Sequence, residues 1–202
     1  MKKILVSVLA LLFLHAAFAQ TNNIQGPTLG VHFFLNDFEG AQKVRSTSFS
    51  TAIREKEFGK LKEMTPGIAL NYIQGITKYV DVSSTLAGSF IDYPQRTRAP
   101  FNRDFFLLEG DISFRGKLLP NNYWISPYLQ AGVGVSKYKG YFDAFIPAGV
   151  GIQVNIFDEA YLLLNSQYRI PVTESANYHF YFSIGLAGSI GKKNTPDTVT
   201  PQ

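Results

Sequence analysis

The chain has 202 residues, no cysteine, and 19 basic against 15 acidic side chains. The absence of thiols excludes a disulfide scaffold, thiolate metal sites and a cysteine-borne lipid anchor. If Lys2 and Lys3 leave with an export signal, the formal charge falls from +4 to +2, too small to support a nucleic-acid partner.

The chain begins with such a signal: basic Met1 to Lys3, an apolar run from Ile4 to Phe18, and the small-x-small triplet Ala17-Phe18-Ala19 before Gln20. A membrane-spanning helix is the rival reading, but the run is shorter than the roughly 18 to 20 residues needed and is interrupted by His15. Residues 1–19 are therefore read as a signal peptide, 20–191 as the mature folded domain and 192–202 (KKNTPDTVTPQ) as a disordered Pro/Thr tail.

Beyond a polar lead, the mature chain is a series of alternating segments. Pro27 to Leu35 sets Leu29, Val31, Phe33 and Leu35 opposite Gly30, His32 and Phe34. A long polar stretch, Asn36 to Glu63, follows, with a short helix predicted around Ser50 to Leu61. Pro66 to Gln74 sets Ile68, Leu70 and Tyr72 against Gly67, Ala69 and Asn71, and Tyr79 to Tyr93 sets Val80, Val82, Leu86 and Phe90 against Asp81, Ser83, Thr85, Ala87 and Ser89. In Phe105 to Leu118, Phe106, Leu108, Ile112 and Phe114 oppose Glu109, Asp111, Ser113, Arg115 and Lys117, so every charge stands on one side. Tyr123 to Ser136 and Phe142 to Phe157 come next; in the latter Ile146, Val150, Ile152 and Val154 oppose Gly149, Gly151, Gln153 and Asn155. Tyr161 to Ile170 places Leu162, Leu164 and Tyr168 opposite Asn165, Gln167 and Arg169. Tyr178 to Ile190 closes the series, with Phe180, Phe182, Ile184 and Leu186 on one face and His179, Tyr181, Ser183 and Gly185 on the other.

Strict alternation over about 9 to 11 residues fits a tilted strand that crosses a bilayer with unlike media on its two faces. Because unpaired backbone groups in hydrocarbon cost several kcal/mol each, such strands must close on themselves. Eight of them predict an all-β, eight-stranded antiparallel up-and-down transmembrane barrel. The longer polar connections (36–63, 94–104, 137–141, 171–177) alternate with short ones (75–78, 119–122, 158–160), which places both termini in the periplasm. Tyr79, Tyr123, Trp124, Phe157 and Tyr161 are expected in one aromatic girdle, and Tyr93, Phe105, Tyr138, Tyr141, Tyr168 and Tyr178 in the other. Pro127 and Pro147 interrupt strands, where bulges or early strand ends are expected.

The runs GVHFFLNDF (30–38), MTPGIALNYIQGIT (64–77), VDVSSTLAGSF (80–90), YWISPYLQAGVGVSKYKGYF (123–142) and NSQYRIPV (165–172) resemble Bacteroidetes-type outer-membrane β-barrel proteins, and in particular the N-terminal barrel of OmpA-family proteins. The resemblance covers roughly 27–191. It implies residence in the outer membrane of a Gram-negative bacterium, among its lipid and lipopolysaccharide, with an envelope or surface protein as a further partner. The peptidoglycan-binding domain of that family has no counterpart in the residues after Gly191, so cell-wall anchoring is not implied.

Eight strands enclose a bore only wide enough for side chains, so inward polar groups must satisfy one another. A lumen network is therefore expected among Glu109, Asp111, Arg115, Lys117, Gln153, Asn155, Asn165, Gln167 and Arg169, either as a static plug or as a gate in which Glu109 or Asp111 exchanges between Arg115 and Arg169. His32 and His179 share inward parity on strands that must pair, which brings them together near the outer mouth as a weak metal or proton-responsive pair, or leaves them as unrelated lumen residues. Arg96, Arg98 and Arg103 form a loop that contacts lipopolysaccharide phosphate or a partner, or is simply solvated. Ser175, Glu174 and His179 lack a strained nucleophile elbow, and no catalytic residue, cofactor or metal site is expected. The function read from the sequence is a structural or interaction barrel; a narrow channel and a secreted, lipocalin-like carrier of small apolar ligands are the alternatives.

Overall fold

The computed structural model describes residues 24–55, 59–91, 106–121, 123–156, 160–173 and 177–190. The signal segment, the C-terminal tail, the arginine loop and Ser175 with Glu174 lie outside these residues. Eight antiparallel strands, β1 (Thr28–Asp37), β2 (Thr65–Gly75), β3 (Val80–Phe90), β4 (Phe106–Lys117), β5 (Ile125–Tyr138), β6 (Tyr141–Ile156), β7 (Ala160–Pro171) and β8 (His179–Ser189), each pair with their chain neighbours, and β1 pairs with β8 to close the barrel. Closure removes every free sheet edge.

The registers fix the barrel's shape. A path across paired residues from Gly151 runs through Asn165, Ser183, Phe34, Gly67, Ser89, Leu107 and Tyr138 and arrives at Tyr141, ten residues along β6 from its start. A shear of ten over eight strands corresponds to a strand tilt of about 40° and an interior that side chains fill. The alternation seen in the sequence becomes sidedness: Val31, Ile68 and Val133 expose 57%, 65% and 68% of their surface, whereas Arg115 and Arg169 expose 2% and 0%. Aliphatic rows stand outside the wall and charged rows inside it.

Here the near end is the one where β1 begins and β8 finishes. Its connections are the tight turn 76–79, the turn 118–124 and the residues between β6 and β7. At the far end the connection between β5 and β6 is shorter than expected. The strands run to Tyr138 and from Tyr141, leaving only Lys139 (φ 49°) and Gly140 (φ 87°), a two-residue turn with both φ positive that matches the twist of its strands. The expected alternation of long and short connections fails at this hairpin.

The first connection also differs from expectation. A helix, α1 (Phe38–Ser46), continues directly from β1; the Asp37 Oδ1 caps it by accepting from the Gly40 N–H at 2.7 Å. A second, α2 (Phe49–Arg54), is capped by Ser48, and a single 3-10 turn spans Leu61–Glu63. Phe38 packs against the inward ends Ile91 and Leu107, with Tyr138 against them, so α1 lies across the far mouth.

Neither proline makes a bulge or ends its strand. The Pro127 carbonyl accepts from the Leu118 N–H at 2.8 Å, so its missing donor faces the wall just beyond the end of β4. At Pro147 the β5–β6 pairing lapses between Ala131↔Ala148 and Gly134↔Phe145, two residues on each strand, which leaves the register unchanged. Of the expected girdle, Tyr123 and Trp124 stand exposed at the near end and Tyr141 at the far end. Tyr161 instead faces the bore, where its ring packs with Ile73, Leu163 and Ala187, because it shares the parity of Asn165 and Arg169. Phe157, Tyr93 and Phe105 fall outside the described residues.

The wall is thin where β6 carries glycine. A Cβ on Gly149 would lie 2.7 Å from the Gln167 Cα and against the Ser166 carbonyl, so only backbone movement could admit it. Gly149→Val is expected to destabilise the barrel by about 1–3 kcal/mol or block its closure, read as loss of the faster-migrating unboiled band on a detergent gel, whereas Val133→Ile on the outer face leaves that band unchanged.

Candidate functional site

The bore holds the polar side chains in three layers, each assembled from strands distant in sequence. In the far layer, the Arg169 guanidinium on β7 meets two carboxylates of β4: Nη1 lies 2.7 Å from Glu109 Oε2 and Nη2 3.3 Å from Asp111 Oδ2. Its Nε donates to the Gln167 Oε1 at 3.4 Å, and the guanidinium lies 3.9 Å from the Tyr181 ring and 5.0 Å from that of Phe145. The other Glu109 oxygen is 3.2 Å from the His179 Nε2, and the Asn36 amide donates to Glu109 at 3.4 Å. Phe38 of α1 stacks on the His179 ring at 4.5 Å and roofs the cluster.

The near layer is built around a turn. The Lys117 Nζ lies 2.8 Å from Asp81 Oδ1 and donates to the Asn121 Oδ1 at 2.9 Å. Gln153 donates to the same Asn121 oxygen and to the Asn155 Oδ1, both at 3.2 Å. Asn155 in turn donates to the Tyr123 carbonyl at 2.6 Å and to the Asn121 carbonyl. The β4–β5 turn is thus drawn into the near mouth by amides. From the other side the Gln25 carbonyl accepts from the Gly75 N–H at 3.0 Å, and the Gln25 side chain is buried beside Thr28.

Between these layers Asn71 donates to the Ser83 Oγ at 2.8 Å and the Thr85 Oγ1 at 3.0 Å. Arg115 stands just above the near layer, donating to the Gln153 Oε1 at 3.4 Å with its guanidinium 3.8 Å over the Tyr128 ring. Tyr128 occupies that position because Gly151 has no side chain; a Cβ there would strike its ring.

All nine residues expected to form the network have inward parity, and among them Glu109, Asp111, Gln167 and Arg169 meet in one cluster while Lys117, Gln153 and Asn155 meet in another. Arg115 reaches neither acid on its own strand: it lies four residues from Asp111, roughly 13 Å along the strand. Asn165 lines the middle layer, where its Oδ1 makes no hydrogen bond. The expected approach of His32 and His179 does not occur. His32 pairs with Gly185 and His179 with Arg169, so six residues of β8, about 20 Å, separate their levels. Among the described residues no group of three His, Asp or Glu side chains is arranged to hold a metal ion.

The sequence reading of the network lacked Asp81, Asn121, Tyr128 and Tyr181. Asp81 was recognisable, since its inward parity on β3 matches that of Lys117 on β4. Asn121 sits in a turn, where parity carries no information.

No family model matches the chain, and no curated protein matches its sequence. Solved structures do. The crystal structure of Neisserial surface protein A is similar over 83% of this chain and 99% of its own, at 13% identity and a TM-score of 0.53. The N-terminal β-barrel domain of Pseudomonas aeruginosa OprF aligns over 83% of this chain and 99% of its own, at 8% identity and a TM-score of 0.48. The attachment invasion locus protein Ail of Yersinia pestis, solved with the heparin analogue sucrose octasulfate, aligns over 82% and 98%, at 12% identity and a TM-score of 0.49. The first of these shares the fold of the present chain, a closed eight-stranded antiparallel barrel.

Removing one member of a buried ion cluster strands its partners. Arg169→Ala leaves Glu109 and Asp111 facing each other and is expected to cost about 3–5 kcal/mol. In a double-mutant cycle with Glu109→Gln, followed by urea unfolding, the two losses should fall short of additivity by at least about 1 kcal/mol.

Proposed function

We propose that the chain is an integral outer-membrane barrel of structural or interaction type, without enzymatic activity, whose bore is plugged by its own side chains. One observation carries this reading: a closed barrel whose outer wall is predominantly aliphatic and aromatic while the charged side chains at its mid-height point inward. Only a hydrocarbon surround makes that arrangement favourable, since exposed apolar area costs about 25 cal/mol per Å² in water. A secreted carrier would place Val150, Ile152 and Ile184 inside and its charges outside, the reverse of their positions.

The reading also orients the molecule. The near end, where β1 begins and β8 finishes, faces the periplasm, and α1 and α2 face outward. Tyr168, Tyr178 and Phe180 form a ring ladder outside β7 and β8, with the Arg45 guanidinium 3.7 Å over Tyr178. This stack suits the headgroup level, where Arg45 meets lipid or lipopolysaccharide phosphate. Arg96, Arg98 and Arg103 are further candidates for phosphate contact in this proposal, and a surface protein is the further partner.

Two measurements test the reading. Val150 faces outward at mid-height of the wall, so Val150→Arg should destabilise the barrel in lipid by about 2–4 kcal/mol; in a water-soluble barrel an exposed Arg there costs almost nothing. In planar bilayers the wild type and Arg169→Ala should both be silent. Regular single-channel steps in either would replace the plug with a narrow channel.

A further inference from the structure

We infer that the middle of the bore is a binding site for one monovalent anion of halide size, held between Arg115 and Gln130. Arg115 is the bore's one guanidinium without a carboxylate partner among the described residues. It exposes only 2% of its surface, and Asp81, the acid directly across the ladder from it, is held by Lys117 at 2.8 Å. Its contacts are the Gln153 amide oxygen and the face of Tyr128, neither of which carries a compensating charge. A buried cation in that situation favours a counter-ion wherever space allows one.

The space is there. A cavity of about 10 Å³, room for one small particle, adjoins Arg115 at mid-height. Its lining holds several donors with nothing to donate to, beside one unpaired acceptor, the Asn165 Oδ1. The Gln130 Nε2, in a residue 7% exposed, makes no hydrogen bond, nor does the Arg115 Nε; the His32 Nε2, in a residue 5% exposed, is also unpaired and donates in one of the two neutral tautomers. The Ser83 and Thr85 hydroxyls already accept from Asn71, which leaves their protons free for a further acceptor. Asp111 also lines the cavity, but its oxygens are engaged by Arg169 at 3.3 Å and Ser113 at 3.0 Å. A particle that only accepts hydrogen bonds and carries one negative charge answers both the charge and the donors. The site lies wholly inside the bore and depends neither on the barrel's orientation nor on whether it conducts.

The test uses the folded full-length barrel in detergent with sodium bromide against sodium gluconate, whose anion is too large to enter, at matched ionic strength. Bromide should raise the thermal midpoint of the wild type and leave that of Arg115→Gln unchanged. Gln130→Leu, which keeps the cation and adds no charge, should weaken the midpoint's response to bromide several-fold and serves where Arg115→Gln does not fold. Crystals grown in bromide should show an anomalous peak in contact with Arg115 and Gln130. A bromide effect equal to that of gluconate in the wild type, an effect that survives Gln130→Leu undiminished, or a light-atom density without anomalous signal at that position would each overturn the site.

Discussion

Closing eight strands at a shear of ten leaves a bore that admits side chains and little else, and the rest of the structure answers to that limit. Each inward polar group must find its partner among other inward groups, because the hydrogen-bonded wall separates it from whatever lies outside. Strand register therefore decides chemistry. Glu109 and Arg169 sit on β4 and β7, which do not touch along the wall, yet they face each other across the bore at 2.7 Å. A slip of one residue in either strand would turn that pair, and every charge on its strand, outward into the aliphatic belt. The buried ions thus penalise wrong registers more heavily than they reward the right one.

The two mouths are closed by opposite means. At the far end an apolar lid of Phe38, Ile91 and Leu107 covers the Glu109–Arg169–His179 cluster. Excluding water there lowers the local dielectric and strengthens the ion pairs beneath. At the near end Asn121 enters the bore and ties Lys117, Gln153 and Asn155 together with amide hydrogen bonds. This knot is built on a turn that β4 and β5 hold in place, whereas the lid rests on a helix whose first turn depends on the Asp37 cap.

Most of the fold was legible because alternation is a local property. The outward rows Leu29–Leu35 and Ile146–Val154, and the inward charges of β4, are readable from consecutive residues, and eight such rows imply closure. What was missed depends on other signals. The α1 helix is announced by an N-cap, Asp37, placed at the end of an alternating run, so strand periodicity masked it. The β5–β6 turn needed only Lys139 and Gly140 because both adopt positive φ, which composition alone does not reveal. Within the bore, parity identified which residues face inward but not which of them meet. Pairing across the barrel follows from tilt, and tilt follows from the accumulated register of all eight ladders, a property of no single stretch. Hence His32 and His179, on adjacent strands with the same parity, end up at different levels.

The distribution of charge along the bore follows from this geometry. The near layer pairs one base with one acid, Lys117 with Asp81, and the far layer sets the single guanidinium of Arg169 against the two carboxylates of Glu109 and Asp111. Arg115 breaks the pattern on the same strand and the same face as Asp111 and Lys117. It stands directly across the ladder from Asp81, whose Oδ1 is taken by Lys117 at 2.8 Å. Lys117 is in turn tied to Asn121 of the following turn, and the Arg115 guanidinium lies over the Tyr128 ring, which the missing side chain of Gly151 admits. An uncompensated cation in mid-bore is therefore a consequence of how the near mouth is sealed, and the donor-lined space beside it is where the barrel resolves that charge.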